Sequence, residues 1–443
     1  MLTGATLRSL ASDELVQLEQ EGCDITVLRE DLQATEGADE AYARAALTDF
    51  FEVARRLRPS PDFPYVEPSE LDAIRKARPD VERWTGETAE QWLRDRLHGA
   101  WLGRCIGCMM GKPVEGRKRE EIETILRAAD AWPLDGYFPV LEEVPEGISY
   151  RPSSDPCLAP NIDHAVRDDD TDYTVLGLHL VEQHGAEVAP AQVMRGWLEW
   201  LPYHRTYTAE RVAMRNFVLE IRPPQSATWM NPYREWIGAQ IRADGLAYCA
   251  AGRPTLAAEL CWRDACVSHT KNGIYGEMFF GALIAAALGA EDLEACLFRA
   301  LAEIPAESRL AEAVRNCIVW CAEAQSWEQT WERIMADWGH YHPVHTINNA
   351  LLCLMGLLHG KGDLRRAVAI TVMGGLDTDC NGATVGSVMG ALLGTAGIPG
   401  DLAAPLNDTL DTALSGMSRL RISELAERSL QVALRMPDAR SSG

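Results

Sequence analysis

Positive charge is scarce in this sequence. Its 443 residues contain 42 Lys and Arg against 65 Asp and Glu, a formal net charge of -23. Such a field repels phosphate backbones, which excludes nucleic acid as a general partner. Long apolar runs are also missing. The opening stretch MLTGATLRSLASDELVQLEQ has neither the basic start nor the continuous apolar core of a signal peptide. The longest uncharged stretch, residues 380–400, is broken by Gly, Ser and Thr and ends in a proline turn, so no transmembrane helix is expected. A cytoplasmic location follows as the expectation. Regular cysteine spacings are absent too: the twelve cysteines are dispersed, many within apolar helical segments, as buried free thiols are in a reducing compartment. The pair Cys105 and Cys108 has no second pair for zinc and no βαβ surroundings for redox work.

Alternating strand patterns are scarce as well, whereas helical periods recur in AQVMRGWLEWLP, TLAAELCWRDACV, GEMFFGALIAAAL, INNALLCLMGLLHG and SELAERSLQVALRM. The expected fold is all-α. AVAITVM is the one segment β-branched enough to compete as a short strand, and it can equally close a buried helix. Residues 1–85 are expected to form an acidic helical extension ending in a proline-broken connector, RPSPDFPYVEPSE, with no recognisable chemistry. Residues 86–435 form the main domain and 436–443 a flexible tail on this division. Glycines at 382, 386, 390 and 394 recur every four residues, so they make one bare stripe that admits another helix closely.

Acids, in contrast, are concentrated. RDDDTDYTVLGLHL places Asp168, Asp169, Asp170 and Asp172 ahead of an apolar helical run. One acid there caps a helix and meets its dipole, but further acids add repulsion. A second pair, Asp377 and Asp379 in GGLDTDCNGATVG, lies in the least charged part of the chain. Unneutralised carboxylates in apolar surroundings cost several kcal/mol or take up protons unless a cation compensates them. Carboxylates suit Mg²⁺, Mn²⁺ or Ca²⁺, and acids from two distant helix starts can hold a pair of ions between them.

Three known arrangements compete for these motifs. DTDCNG begins like an EF-hand loop, but Val388 stands at the twelfth position, where a bidentate Glu is required. AITVMGGLDTD resembles the strand and DxD of aspartyl-phosphate phosphatases, although those place their double-acid motif downstream rather than upstream. Asp168, Asp169 and Asp172 spell the DDxxD of Mg²⁺-dependent all-α isoprenoid-diphosphate enzymes, whose second motif is not found here.

The chain resembles the ADP-ribosylglycohydrolases, including the dinitrogenase-reductase-activating glycohydrolases, over about residues 95–420. GRCIGCMMGKPVEG is similar to the family's small-residue helix ending in a glutamate, with Glu115 in that place. Asp168, Asp169, Asp170 and Thr171 match its Ser/Thr-Asp-Asp-Thr group; SHTKNGIYGEMFFGALIAAAL resembles its His-containing loop and alanine-rich helix; Gly374, Gly375, Asp377 and Asp379 match its closing signature. The resemblance implies a compact multi-helix domain around a dinuclear centre. Two divalent cations, Mg²⁺ or else Mn²⁺, would be held by Asp168, Asp169, Asp170, Asp377, Asp379 and Cys380. It also implies hydrolysis of a ribosyl glycosidic bond in an ADP-ribose-containing substrate, protein-linked or small, with Glu115, Asp169 or Asp170 as base. Glu115, His269, Asn272, Gly273 and Tyr275 would contact substrate. The Asn-Gly turn within SHTKNG offers backbone amides that suit a phosphate. The sequence departs from the family pattern at Asp168 for Ser or Thr, Cys108 for Asp and Cys380 for Thr. A non-catalytic ADP-ribose-binding relative stands beside the enzyme reading. His345, Asn348 and Asn349 form either another polar rim or a capped helix start and are left out of the site.

Overall fold

The structure, a computed structural model, describes residues 2–86, 89–290 and 292–436. Among them the architecture is helical, and the only strands are the antiparallel pair Thr409–Asp411 and Arg419–Arg421, in register Leu410 to Leu420. Nearly all of the tail expected at 436–443 lies outside the described residues. No helix is long and apolar enough to cross a membrane, among the described residues. All twelve cysteines are free, and all but Cys321 are buried.

AVAITVM lies in the Leu364–Met373 helix, not in a strand. Asp363 caps that helix by accepting from the Arg366 amide at 2.8 Å, and Ala367, Val368, Ile370 and Val372 are buried. Burial between the neighbouring helices outweighs a β-branched preference of about 0.5 kcal/mol per residue.

A close helix pair explains the glycine stripe. Gly382, Gly386 and Gly390 of the Thr378–Leu393 helix face Gly107, Gly103 and Gly99 of the antiparallel Glu90–Gly111 helix. A Cβ on Gly103 would stand 2.0 Å from the Gly386 carbonyl oxygen, and one on Gly107 would stand 1.9 Å from that of Gly382. The Thr378 hydroxyl then donates to the Gly111 carbonyl at 2.8 Å. This zipper brings the C-terminal end of one helix against the N-terminal end of the other.

The N-terminal extension folds as Gly4–Gln20, Thr26–Ala34, Glu40–Ala54 and Leu71–Ala77. Its first three helices enclose a small core of their own, including Leu7, Leu18, Leu47, Phe50 and Phe51, which closes over Met230. It is also tied to the main domain by buried charge. Arg234 donates to Glu14 and Glu21 at 2.8 Å each, and Arg309 grips Glu67 at 2.6 and 2.9 Å. Ile74 enters the main core outright.

Candidate metal centre

Two helix starts and the turn after the first zipper helix converge on one acidic site. Asp168 caps the Asp169–His184 helix, its Oδ1 accepting from the Asp170 amide at 3.1 Å. Asp377 precedes the Thr378–Leu393 helix but makes no side-chain cap, which leaves its carboxylate for another role. The turn leading into it is tightly wound: Gly375 has φ 80° and Leu376 φ 65°, an unusual conformation for a side-chain-bearing residue. Leu376 donates its amide to the Arg117 carbonyl at 3.3 Å and accepts from Gly116 at 3.0 Å, which fixes Glu115 beside Asp377.

Three groups of ligating atoms result, each with its members within 4.8 Å of one another: Glu115, Asp377 and Asp379; Asp170, Asp379 and Cys380; Cys108, Asp168 and Asp170. All these residues are buried except Glu115, which stands at the exposed rim. Burial and the surrounding carboxylates push Asp170 and Asp379 well above the usual carboxyl range, and burial with Asp377 raises Glu115. Burial acts against Asp168 too, but the Lys112 ammonium in contact with it keeps its carboxyl below that range. Asp170 Oδ1 is buried without a hydrogen-bond partner, while its Oδ2 accepts from the Cys380 thiol at 3.4 Å. Converging hard oxygen donors, one of them a buried oxygen without a hydrogen bond, fit a divalent cation.

The other sequence candidates are not in these groups. Asp169 is half-buried and outside the three groups. Asp172 accepts from Arg167 and from the Ala413 amide, at 2.7 and 2.8 Å, so the DDxxD pattern does not act as one unit. His269, Asn272, Gly273 and Tyr275 are buried against structural partners and are not brought to the acids. His269 bonds Ser268 at 2.8 Å. Asn272 donates to Glu67 and Glu235 at 2.8 Å each. Gly273 packs on the Arg234 carbonyl, and the Tyr275 hydroxyl donates to the Pro68 carbonyl. The extension therefore engages Asn272 and Tyr275, whereas His269 and Gly273 pack against the main domain, and none of the four belongs to the three ligating groups.

Sequence reasoning passed over two groups that the structure places at the centre. Lys112, the one cation in an otherwise uncharged run from Cys105 to Val114, forms the ion pair with Asp168. Asn349, left out of the site as part of a polar rim or a cap, accepts from the Asp377 amide at 3.2 Å and from Asn381 at 2.8 Å. Beside the acids opens a cavity of about 710 Å³ lined by Lys112, Glu115, Arg151, Arg167, Arg205 and Tyr207 among others. A larger, mostly apolar cavity of about 1020 Å³ lies between the extension and Trp229, away from the acidic groups.

The family described as ADP-ribosylglycohydrolase matches residues 89–439. No curated protein matches the chain. A solved structure titled "ADP-ribosylglycohydrolase-related protein complex" is 19% identical, with 78% of this chain and 99% of that chain covered and a TM-score of 0.46. With the family match spanning most of its length, this chain belongs to the ADP-ribosylglycohydrolase family.

Proposed function

We propose that the protein is a metal-dependent hydrolase that cleaves a ribosyl glycosidic bond and releases ADP-ribose from a protein side chain or small acceptor. One observation supports this above all: Glu115, Asp377 and Asp379 converge within 4.8 Å although they come from distant parts of the chain. These three would hold divalent metal, Mg²⁺ by the hardness of the donors and Mn²⁺ as the more tolerant substitute. Bound there, the cation would supply positive charge at the ribose hydroxyls and make a nearby water more acidic.

The chain's own groups divide the remaining work. Glu115, the exposed member of the group, would offer one oxygen to the ion and take the proton of the attacking water with the other. Asp170, bonded by the Cys380 thiol and faced by Arg104, is less free to do so than Glu115. Arg151, Arg167 and Arg205 along the cavity give cationic donors suited to a substrate diphosphate. Hydrolysis adds the water's hydroxyl to the anomeric carbon and returns a proton to the departing acceptor.

The test incubates the protein with arginine-linked, serine-linked and small-molecule ADP-ribose conjugates plus Mg²⁺ and follows free ADP-ribose. Turnover that is lost in excess chelator and in Asp377→Ala is expected; full turnover in chelator overturns metal dependence. ADP-ribose with Mg²⁺ should raise the thermal midpoint where prenyl diphosphates do not, and the opposite ranking favours an isoprenoid enzyme. Binding of ADP-ribose without turnover of any conjugate makes the protein a non-catalytic relative.

A further inference from the structure

The acidic centre is lopsided in charge. On the side of Cys108, Asp168 and Asp170, two cations are built in. Lys112 Nζ is in contact with Asp168 Oδ2. Arg104, fully buried, places Nη2 3.7 Å from Asp170 Oδ1 while pairing with Asp244 at 2.8 Å. The third member of that group, Cys108, is a thiol, a poor donor for a hard ion. On the other side, Glu115, Asp377 and Asp379 have no cation in direct contact as Asp168 has; Lys112 and Arg151 share the cavity with Glu115 and act on it only from farther off.

We propose that Lys112 is the permanent counter-cation of the Asp168 side, so that the centre takes one divalent ion, at Glu115, Asp377 and Asp379, rather than two. The inference rests on the metal reading given above and narrows it. A second divalent ion between Asp168 and Asp170 would have to displace the Lys112 ammonium and sit close to the Arg104 guanidinium, and like charges so placed repel strongly with little water to screen them. Lys112 is also anchored by its own backbone. It lies in the short turn Lys112–Val114 that continues the zipper helix, and its carbonyl accepts from Arg151 Nη2 at 2.8 Å. Its side chain is 19% exposed against 2% for Asp168, so the ammonium closes the Asp168 side toward the cavity.

The experiment counts ions without using turnover. Metal-free protein is titrated with Mn²⁺ and followed by electron paramagnetic resonance, with calorimetry of Mg²⁺ in parallel. The wild type should bind one ion with an uncoupled Mn²⁺ spectrum. Asp377→Asn should lose that ion, and Asp168→Asn should retain it with affinity changed by less than about tenfold. Lys112→Met combined with Cys108→Asp should admit a second ion and give the spectrum of a coupled Mn²⁺ pair, whereas Lys112→Arg should keep one. Two ions in the wild type overturn the proposal while leaving the hydrolase reading intact. A double variant that folds and still binds one ion overturns the role given to Lys112. A wild type that binds none refutes the metal reading itself.

Discussion

Replacing Gly107 by Ala tests whether the glycine zipper positions the metal centre or merely fills space. The added Cβ would lie 1.9 Å from the Gly382 carbonyl oxygen, 2.4 Å from its carbon and 2.9 Å from the Ala383 nitrogen. All three are backbone atoms, so no side chain can rotate away. Relief requires the two helices to part locally by about 1.5 Å, given non-bonded optima of about 3.5 Å. Overpacking of this kind costs about 3 kcal/mol. The same displacement reaches the centre, because Lys112 and Glu115 follow the first helix while Asp377 and Asp379 open the second. Metal ligation tolerates shifts of only about 0.2 Å, so a movement several times larger should weaken Mn²⁺ binding by tenfold or more. Urea denaturation measures the first effect and Mn²⁺ titration the second. Gly400→Ala is the control, since nothing stands within 4 Å of a Cβ there; it should stay within about 0.5 kcal/mol of wild type. If Gly107→Ala matches that control in both measurements, the close approach is not what holds the site together.

Glu67→Ala should destabilise the protein by about 2–3 kcal/mol, because the buried Arg309 loses a two-pronged partner while Glu235 still holds its guanidinium at 2.9 Å. Urea midpoints measure this, and an unchanged midpoint would show that the extension is only loosely attached. Burial holds the His345 imidazole at about 3 against an ordinary value of 6.5. The unfolded chain therefore takes up a proton as pH falls through 6.5 while the folded chain does not, so the contribution is complete above that value and declines below it. By pH 5 the loss is about 2 kcal/mol. His345→Asn, which retains a cap for the Ile347 amide, should lose correspondingly less stability between pH 7 and pH 5; equal losses in the two proteins would refute the assignment.

The helical fold was legible because apolar spacing reports one buried face at a time. The zipper was half legible. The glycines from 382 to 394 stand out in an uncharged run, whereas their partners Gly99, Gly103 and Gly107 are interleaved with Arg104, Cys105 and Trp101 and draw no notice. Asp377 and Asp379 were conspicuous for the same reason as the glycines, being charges without neighbouring charges. Asp172 and Asp170 look equivalent in sequence and are not, because the partners that separate them, Arg167 and Ala413 against Arg104 and Cys380, are set by folding. Nothing local announces that Glu67 meets Arg309, 242 residues away. The same is true of the substrate loop expected at His269 to Tyr275: its residue types suit a ligand, and only the packed extension reveals that Asn272 and Tyr275 already hold Glu67 and Pro68.

The zipper also governs when the centre can come into being. The Thr378 hydroxyl and the Gly111 carbonyl that it meets are 267 residues apart, so the Glu90–Gly111 helix leaves the ribosome long before its partner has been made. At about 5–20 residues per second, that interval lasts roughly 13 to 53 s. During it a stripe of bare backbone and the lone Glu115 await a counterpart, while helices made in between can already collapse on one another. Assembly of the ligand set is thus a late event in biosynthesis, and a chain interrupted before residue 377 would have most of the helical framework but neither Asp377 nor Asp379.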